Sequence, residues 1–142
     1  MQTHQPSLEE RVIKEVDDCL AAFGEWISGS GADDFARSIG GRLSTDGTYV
    51  SRTGSVQSLG ELAVEVKAAR GSNPDYRVSS GTVRIVDSQS HCIVVLYEER
   101  TRGSRLGPIA EFTRMVTAVL HEDADAVGGF RWKHIHESQR DG

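Results

Sequence analysis

The 142-residue chain has no excess of positive charge: 16 Lys+Arg stand against 21 Asp+Glu, for a net charge of -5. That balance argues against a nucleic-acid module, which carries a basic excess, and against a polybasic membrane-surface protein. Cysteine is scarce. Cys19 and Cys92 are far apart, form no C-x-x-C or zinc spacing, and fall at apolar-periodic positions, so two buried free thiols are expected rather than a disulfide. No apolar run approaches the ~18 residues of a membrane span, and the opening MQTHQPSLEER lacks an apolar targeting stretch. The expected compartment is therefore the reducing cytoplasm. No G-x-G-x-x-G, Walker A, G-x-S-x-G or H-E-x-x-H is present, so nucleotide, serine-hydrolase and zincin chemistries lack support. Repeats and low-complexity segments are also missing.

What remains is the composition of one globular domain, 37% hydrophobic and 26% charged. The acidity belongs to the first half: residues 1–75 hold 7 basic and 12 acidic side chains, residues 76–142 hold 9 of each. Lys14, Lys67 and Lys133 are the only lysines, so the bases are overwhelmingly Arg, the better group for bidentate anion contacts.

Ser7 with Glu10 forms a capping box that opens a helix, and Leu8, Val12, Val16, Leu20 and Phe23 give it an apolar stripe as far as Trp26–Ile27. Asp33 is expected to cap a second helix carrying Phe35, Ile39 and Leu43. Asp46-Gly47 reads as a turn before a short strand, Thr48 to Thr53. Ser58 and Glu61 repeat the capping box ahead of a third helix with Leu59, Leu62, Val66 and Ala69 buried. The period then changes to two. Strands are expected over Tyr76 to Val86, with a bulge near Ser79-Ser80-Gly81, and over His91 to Thr101, Glu111 to Leu120 and Phe130 to Glu137. Helices first and antiparallel strands later make an α+β pattern, a single domain over 1–142 with its core at about 7–138. A curved sheet with helices on one face leaves its other face to be covered. Thr113, Met115, Thr117, Val119, Lys133 and Ile135 are assigned to that convex face, and a homodimer through it is expected.

This order of elements resembles the nuclear transport factor 2-like fold, the cone-shaped α+β domain. Arg131-Trp132-Lys133-His134-Ile135-His136-Glu137-Ser138 looks like that superfamily's final strand. Cys92-Ile93-Val94-Val95-Leu96-Tyr97 and Thr113-Arg114-Met115-Val116 resemble central strands of the calcium/calmodulin-dependent protein kinase association domain. The resemblance implies a pocket between the helices and the concave sheet, with Arg114 and Tyr97 at inward-facing family positions. Trp132, His134 and His136 are expected to share one face of the last strand, Tyr49 and Ser51 to lie on the first strand, and Trp26 to close the first helix.

Tested against the superfamily's chemistries, the sequence departs from several. Ketosteroid isomerases need a carboxylate base where this chain has Ser51, and an acid near Met115 or Val116. Epoxide hydrolysis needs a carboxylate where Val116 stands, two residues after Arg114. A SnoaL-like reading fits better: a small-molecule-binding domain, Arg114 anchoring an anionic or carbonyl group while Tyr97, Trp132, His136, Trp26 and Ser51 shape the cavity. Its enzymatic version, of cyclase or dehydratase type, has His134 or His136 as general base and Tyr49 or Tyr97 as donor to an oxyanion. The other class is a homo-oligomerising association module with a vestigial pocket. His134-x-His136 could chelate an ion with His121 or Glu122, but the chain after it is too short for a cupin site, and no metal or other cofactor is expected. Glu98, Glu99, Arg100 and Arg102 read as a solvated strand end, or as a polar pocket mouth beside Arg105 and Arg114.

Overall fold

A computed structural model describes residues 5–31, 33–103 and 111–139. Arg105 and most of the polar loop around it lie outside the described residues. α1 (Leu8–Ser28) starts on the expected capping box, Ser7 accepting from the Glu10 amide, and stops at Gly29, whose φ of 80° is the left-handed conformation glycine adopts without strain. α2 (Phe35–Ser38) is a single turn capped by Asp34, not Asp33, and a 3-10 turn, Gly40–Arg42, replaces its expected continuation. β1 (Leu43–Val50) therefore begins at a residue expected in that helix and takes in Asp46-Gly47, expected as a turn. The register of β1 is irregular there. A Cβ on Gly47 would lie 2.6 Å from the Lys133 carbonyl oxygen, so the close approach of β1 to the last strand requires glycine.

β2 (Val56–Ser58) is followed by α3 (Leu59–Ala68), opened by the Ser58–Glu61 capping box. β3 (Arg77–Gln89), β4 (Cys92–Arg102), β5 (Glu111–Glu122) and β6 (Phe130–Gln139) complete one sheet in the order β2-β1-β6-β5-β4-β3. All neighbours are antiparallel except β1 and β6, which run parallel. The expected bulge in β3 falls between Ser80 and Val83.

α1 lies across the concave face and α3 against β1. Val12 and Val16 of α1 pack with Val95, Val116, Ala118, Leu120 and Trp132 of the sheet, and all seven are at most 1% exposed. Two buried hydrogen-bonded groups lock these layers. Glu15 of α1 accepts from Arg42 Nη1 at 2.5 Å and from Trp132 Nε1 at 2.8 Å, joining α1, the 3-10 turn and β6. Trp26 Nε1 donates to the Val66 carbonyl oxygen at 2.8 Å, tying the end of α1 to α3. No helix among the described residues is long and apolar enough to cross a membrane.

Candidate functional site

Strand periodicity sends Tyr97 and Glu99 of β4, Arg114 of β5, and Ile135 and Glu137 of β6 to the concave face. With Tyr49 of β1 and Tyr76 they surround a cavity of about 130 Å³, roofed by Cys19, Leu20 and Phe23 of α1 and Leu62 of α3, with Trp132 at its inner wall. A wider groove between α1 and β3, about 470 Å³, opens to solvent, and its Asp17 is already bonded to Ser80. The enclosed cavity, not the groove, gathers the convergent polar groups.

Those groups form a row across four neighbouring strands, β1, β6, β5 and β4. Glu137 Oε2 accepts from Arg114 Nη1 at 3.1 Å, and its other oxygen accepts from the Tyr49 hydroxyl. The Arg114 guanidinium lies 4.6 Å from the centre of the Phe112 ring, and its Nε is buried with no hydrogen-bond partner among the described residues. Glu99, directly opposite Arg114 in register, is 8% exposed. Burial first, and then the facing Glu137 carboxylate, push its pKa up to about 8, against the pull of Arg114. At neutral pH Glu99 thus keeps its proton. Tyr49 is also raised, by burial and by Glu137, and burial moves Tyr76 up to about 12 and Tyr97 well above its ordinary range. All three phenols stay neutral hydrogen-bonding groups.

Of the residues expected at the site, Arg114, Tyr97, Tyr49 and Trp132 do line the cavity. His134 and His136 do not. Leu120 pairs with Trp132 while Val119 pairs with His134, so Lys133 is the extra residue of a bulge, and it reverses the facing of everything after it. Trp132 therefore points inward, His134 and His136 lie on the convex face, and Ile135, expected outside, is 8% exposed within the core. Trp26 is a packing residue: its ring meets Phe35 edge-on at 5.0 Å and its N–H is spent on α3. Ser51 sits past the end of β1 in an exposed turn, bonded to Ser55 at 2.7 Å and Thr53 at 3.0 Å. Glu122 is occupied by Arg11 at 2.9 Å and His91 at 2.7 Å, and no cluster of three metal-ligating side chains occurs among the described residues.

Glu137 is the residue that sequence reasoning missed, and Glu99 was expected only as one of four charged side chains at a strand end or pocket mouth. Glu98 and Arg100 do lie outside, 3.6 Å apart, and Arg102 pairs with Glu111 at the exposed end. Glu99 alternates with them and shares the parity of Ile93, Val95 and Tyr97, the signal that separates it from its charged neighbours.

No protein-family model matches the sequence, and no curated protein does so at a significant level. Solved structures do match in fold. An NTF2-like protein of unknown function from Pseudomonas aeruginosa superposes with a TM-score of 0.80 at 21% identity, over 92% of this chain and 99% of that one. A CaMKII hub from S. rosetta gives 0.75 at 15% identity, over 96% and 100%. An NTF2-like protein from Cytophaga hutchinsonii gives 0.72 at 11% identity, over 95% and 100%. Helices packed on a curved, mainly antiparallel six-stranded sheet, with these neighbours, give the chain the nuclear transport factor 2-like α+β fold.

Proposed function

We propose that the protein binds a small molecule in the cavity between α1, α3 and the concave sheet. The observation that carries this reading is the convergence of Arg114, Glu99, Glu137 and three tyrosines on one cavity. A domain built only for stability gains nothing from two facing carboxylates in a cavity. Arg114 anchors an oxygen of the ligand through its guanidinium, and Tyr97 and Trp132, packed edge to face at 6.4 Å, form the rigid wall. If the site is catalytic, its acid–base groups are Glu99 and the tyrosines; His134 and His136 face away from the cavity. The test is a fragment screen by thermal shift, followed by Leu62→Phe, which narrows the cavity, and Arg114→Met, which removes the anchor. Hits that lose affinity in both variants support the reading. Hits unaffected by either place the binding elsewhere and refute it.

A second reading, association of two copies through the convex face, is favoured by its half-buried apolar surface. Val94, Leu96, Met115 and Val119 lie there with no helix among the described residues over them. Two of the fold's structural neighbours are a CaMKII hub and the association domain of C. elegans CaMKII. Light scattering at micromolar concentration decides it: a dimer mass that Val119→Glu converts to a monomer supports the face, and a monomer mass in the unaltered chain removes it. The free cysteines and the absence of an apolar membrane-spanning helix among the described residues fit a reducing cytoplasm as its compartment.

A further inference from the structure

The ligand's charge follows from the residues that enclose the cavity. The sequence-based expectation of an anionic or carbonyl-bearing ligand rests on Arg114, and the two glutamates change the sum. With Glu99 protonated, Glu99, Glu137 and Arg114 sum to zero, and no other Lys, Arg or His among the described residues lines the space. An anion would leave that sum at -1 among largely buried walls, whereas a cation that displaces the Glu99 proton keeps it at zero.

The walls point the same way. Tyr49, Tyr76, Tyr97, Trp132 and Phe23 all contribute to the lining, and the negative π-faces of aromatic rings favour a desolvated cation, most of all a quaternary ammonium. The Arg114 guanidinium lines the cavity and is its one cationic donor among the described residues. The volume, about 130 Å³, is near the ~150 Å³ that accepts a benzene-sized molecule. Resting on the binding reading above, we infer that the cavity takes a small organic ammonium ion bearing a neutral oxygen, with its nitrogen between Glu99 and Glu137 among the aromatic rings and its oxygen on Arg114.

In the empty site the proton on Glu99 stands in for that positive charge. The groups facing Glu99 are Cys19 from α1, Tyr49 from β1, Tyr76 ahead of β3, Tyr97 from β4, Arg114 from β5 and Glu137 from β6. Burial keeps the thiol and the phenols protonated, so Glu99 is the group that releases a proton when a cation enters. Binding of a permanently charged cation therefore strengthens toward tenfold per pH unit below the Glu99 pKa and levels off above it.

The experiment is calorimetric titration of the full chain with choline and with tetramethylammonium, across pH 6 to 8.5 and in buffers of different ionisation enthalpy. The controls are 3,3-dimethyl-1-butanol, the uncharged isostere of choline, and butyrate. Expected are choline binding, close to one proton released per ligand at pH 7, and affinity that rises with pH. In Glu99→Gln, whose side chain is neutral like protonated Glu99, choline affinity falls at least tenfold and the pH dependence disappears. Failure of both cations to bind at millimolar concentration overturns the inference, as does binding of the neutral isostere as tight as choline. If butyrate binds instead, the cavity is a ligand site but not a cation site. If none of these compounds binds and the fragment screen is also empty, the binding reading falls with it.

Discussion

Replacing Glu99 by Gln should make the protein more stable at neutral pH, by an amount that grows with pH. In the unfolded chain Glu99 titrates at its ordinary 4.5, whereas in the folded state it holds its proton to about 8. Between those values the native state binds more protons than the unfolded state, so stability falls as pH rises. Each pH unit in the window is worth about 1.4 kcal/mol for one full proton. From 4.5 to 7 that accumulates to a ceiling of about 3 kcal/mol, lowered to the extent that water or side-chain relaxation reaches the carboxylate. Gln has the volume of protonated Glu, donates to Glu137 as that form does, and has no charge to expose.

The two proteins should therefore be equally stable near pH 4 and diverge above it. At pH 7 the variant should gain roughly 2–3 kcal/mol, which in a domain of this size is on the order of 10 °C in Tm. Urea denaturation of both at pH 4, 5, 6, 7 and 8 measures the divergence directly, and the difference cancels every other titrating group. A variant less stable than the parent at pH 7, or a difference that does not change with pH, would refute the assignment of Glu99 as the buried, proton-holding member of the pair.

Trp132→Phe removes the indole donor from Glu15 Oε2 and should cost about 1–3 kcal/mol, read by the same denaturation curves. Arg42→Met leaves the buried Glu15 charge without its cation and should cost more, roughly 3–5 kcal/mol. Gly128 is exposed, yet a Cβ there would lie 1.9 Å from Glu15 Oε1, so Gly128→Ala should destabilise by about 1–3 kcal/mol where a surface alanine is ordinarily neutral. In the native protein a thiol reagent at pH 8 should modify half-buried Cys92 well before Cys19, whose thiol burial holds far above its usual range; equal rates would mean that α1 opens readily.

The fold was legible because its signals are local. Two capping boxes, the apolar stripe of α1 and the alternation along β3, β4, β5 and β6 each declare an element within a dozen residues. Errors came where a tertiary contact overrides the local pattern. Asp46-Gly47 has the composition of a turn, but β1 continues through it because Gly47 lets the chain press against Lys133. The site was half legible for a related reason. Parity along a strand is reliable until a bulge intervenes, and the bulge at Lys133 exchanges the histidines for Ile135 and Glu137. Nothing local marks that insertion: it depends on how β6 pairs with β5 on one side and β1 on the other. Glu99 was hidden differently, inside a run of four charged side chains whose average is a solvated edge.

Three buried glutamates, all 8% exposed or less, make the decisive comparison. Glu15 has a guanidinium at 2.5 Å and an indole N–H, so both oxygens are satisfied and its burial joins three elements. Glu137 has the Tyr49 hydroxyl and the Arg114 guanidinium. Glu99 has no ion pair among the described residues, faces a carboxylate, and is held protonated at neutral pH mainly by its burial. Glutamine, or an apolar side chain of similar volume, would fill the same space without that penalty. A residue that weakens the fold where a neutral isostere would strengthen it is one whose contribution lies in what the cavity holds. Glu15 marks where the domain is fastened; Glu99 marks the cavity proposed above as the binding site.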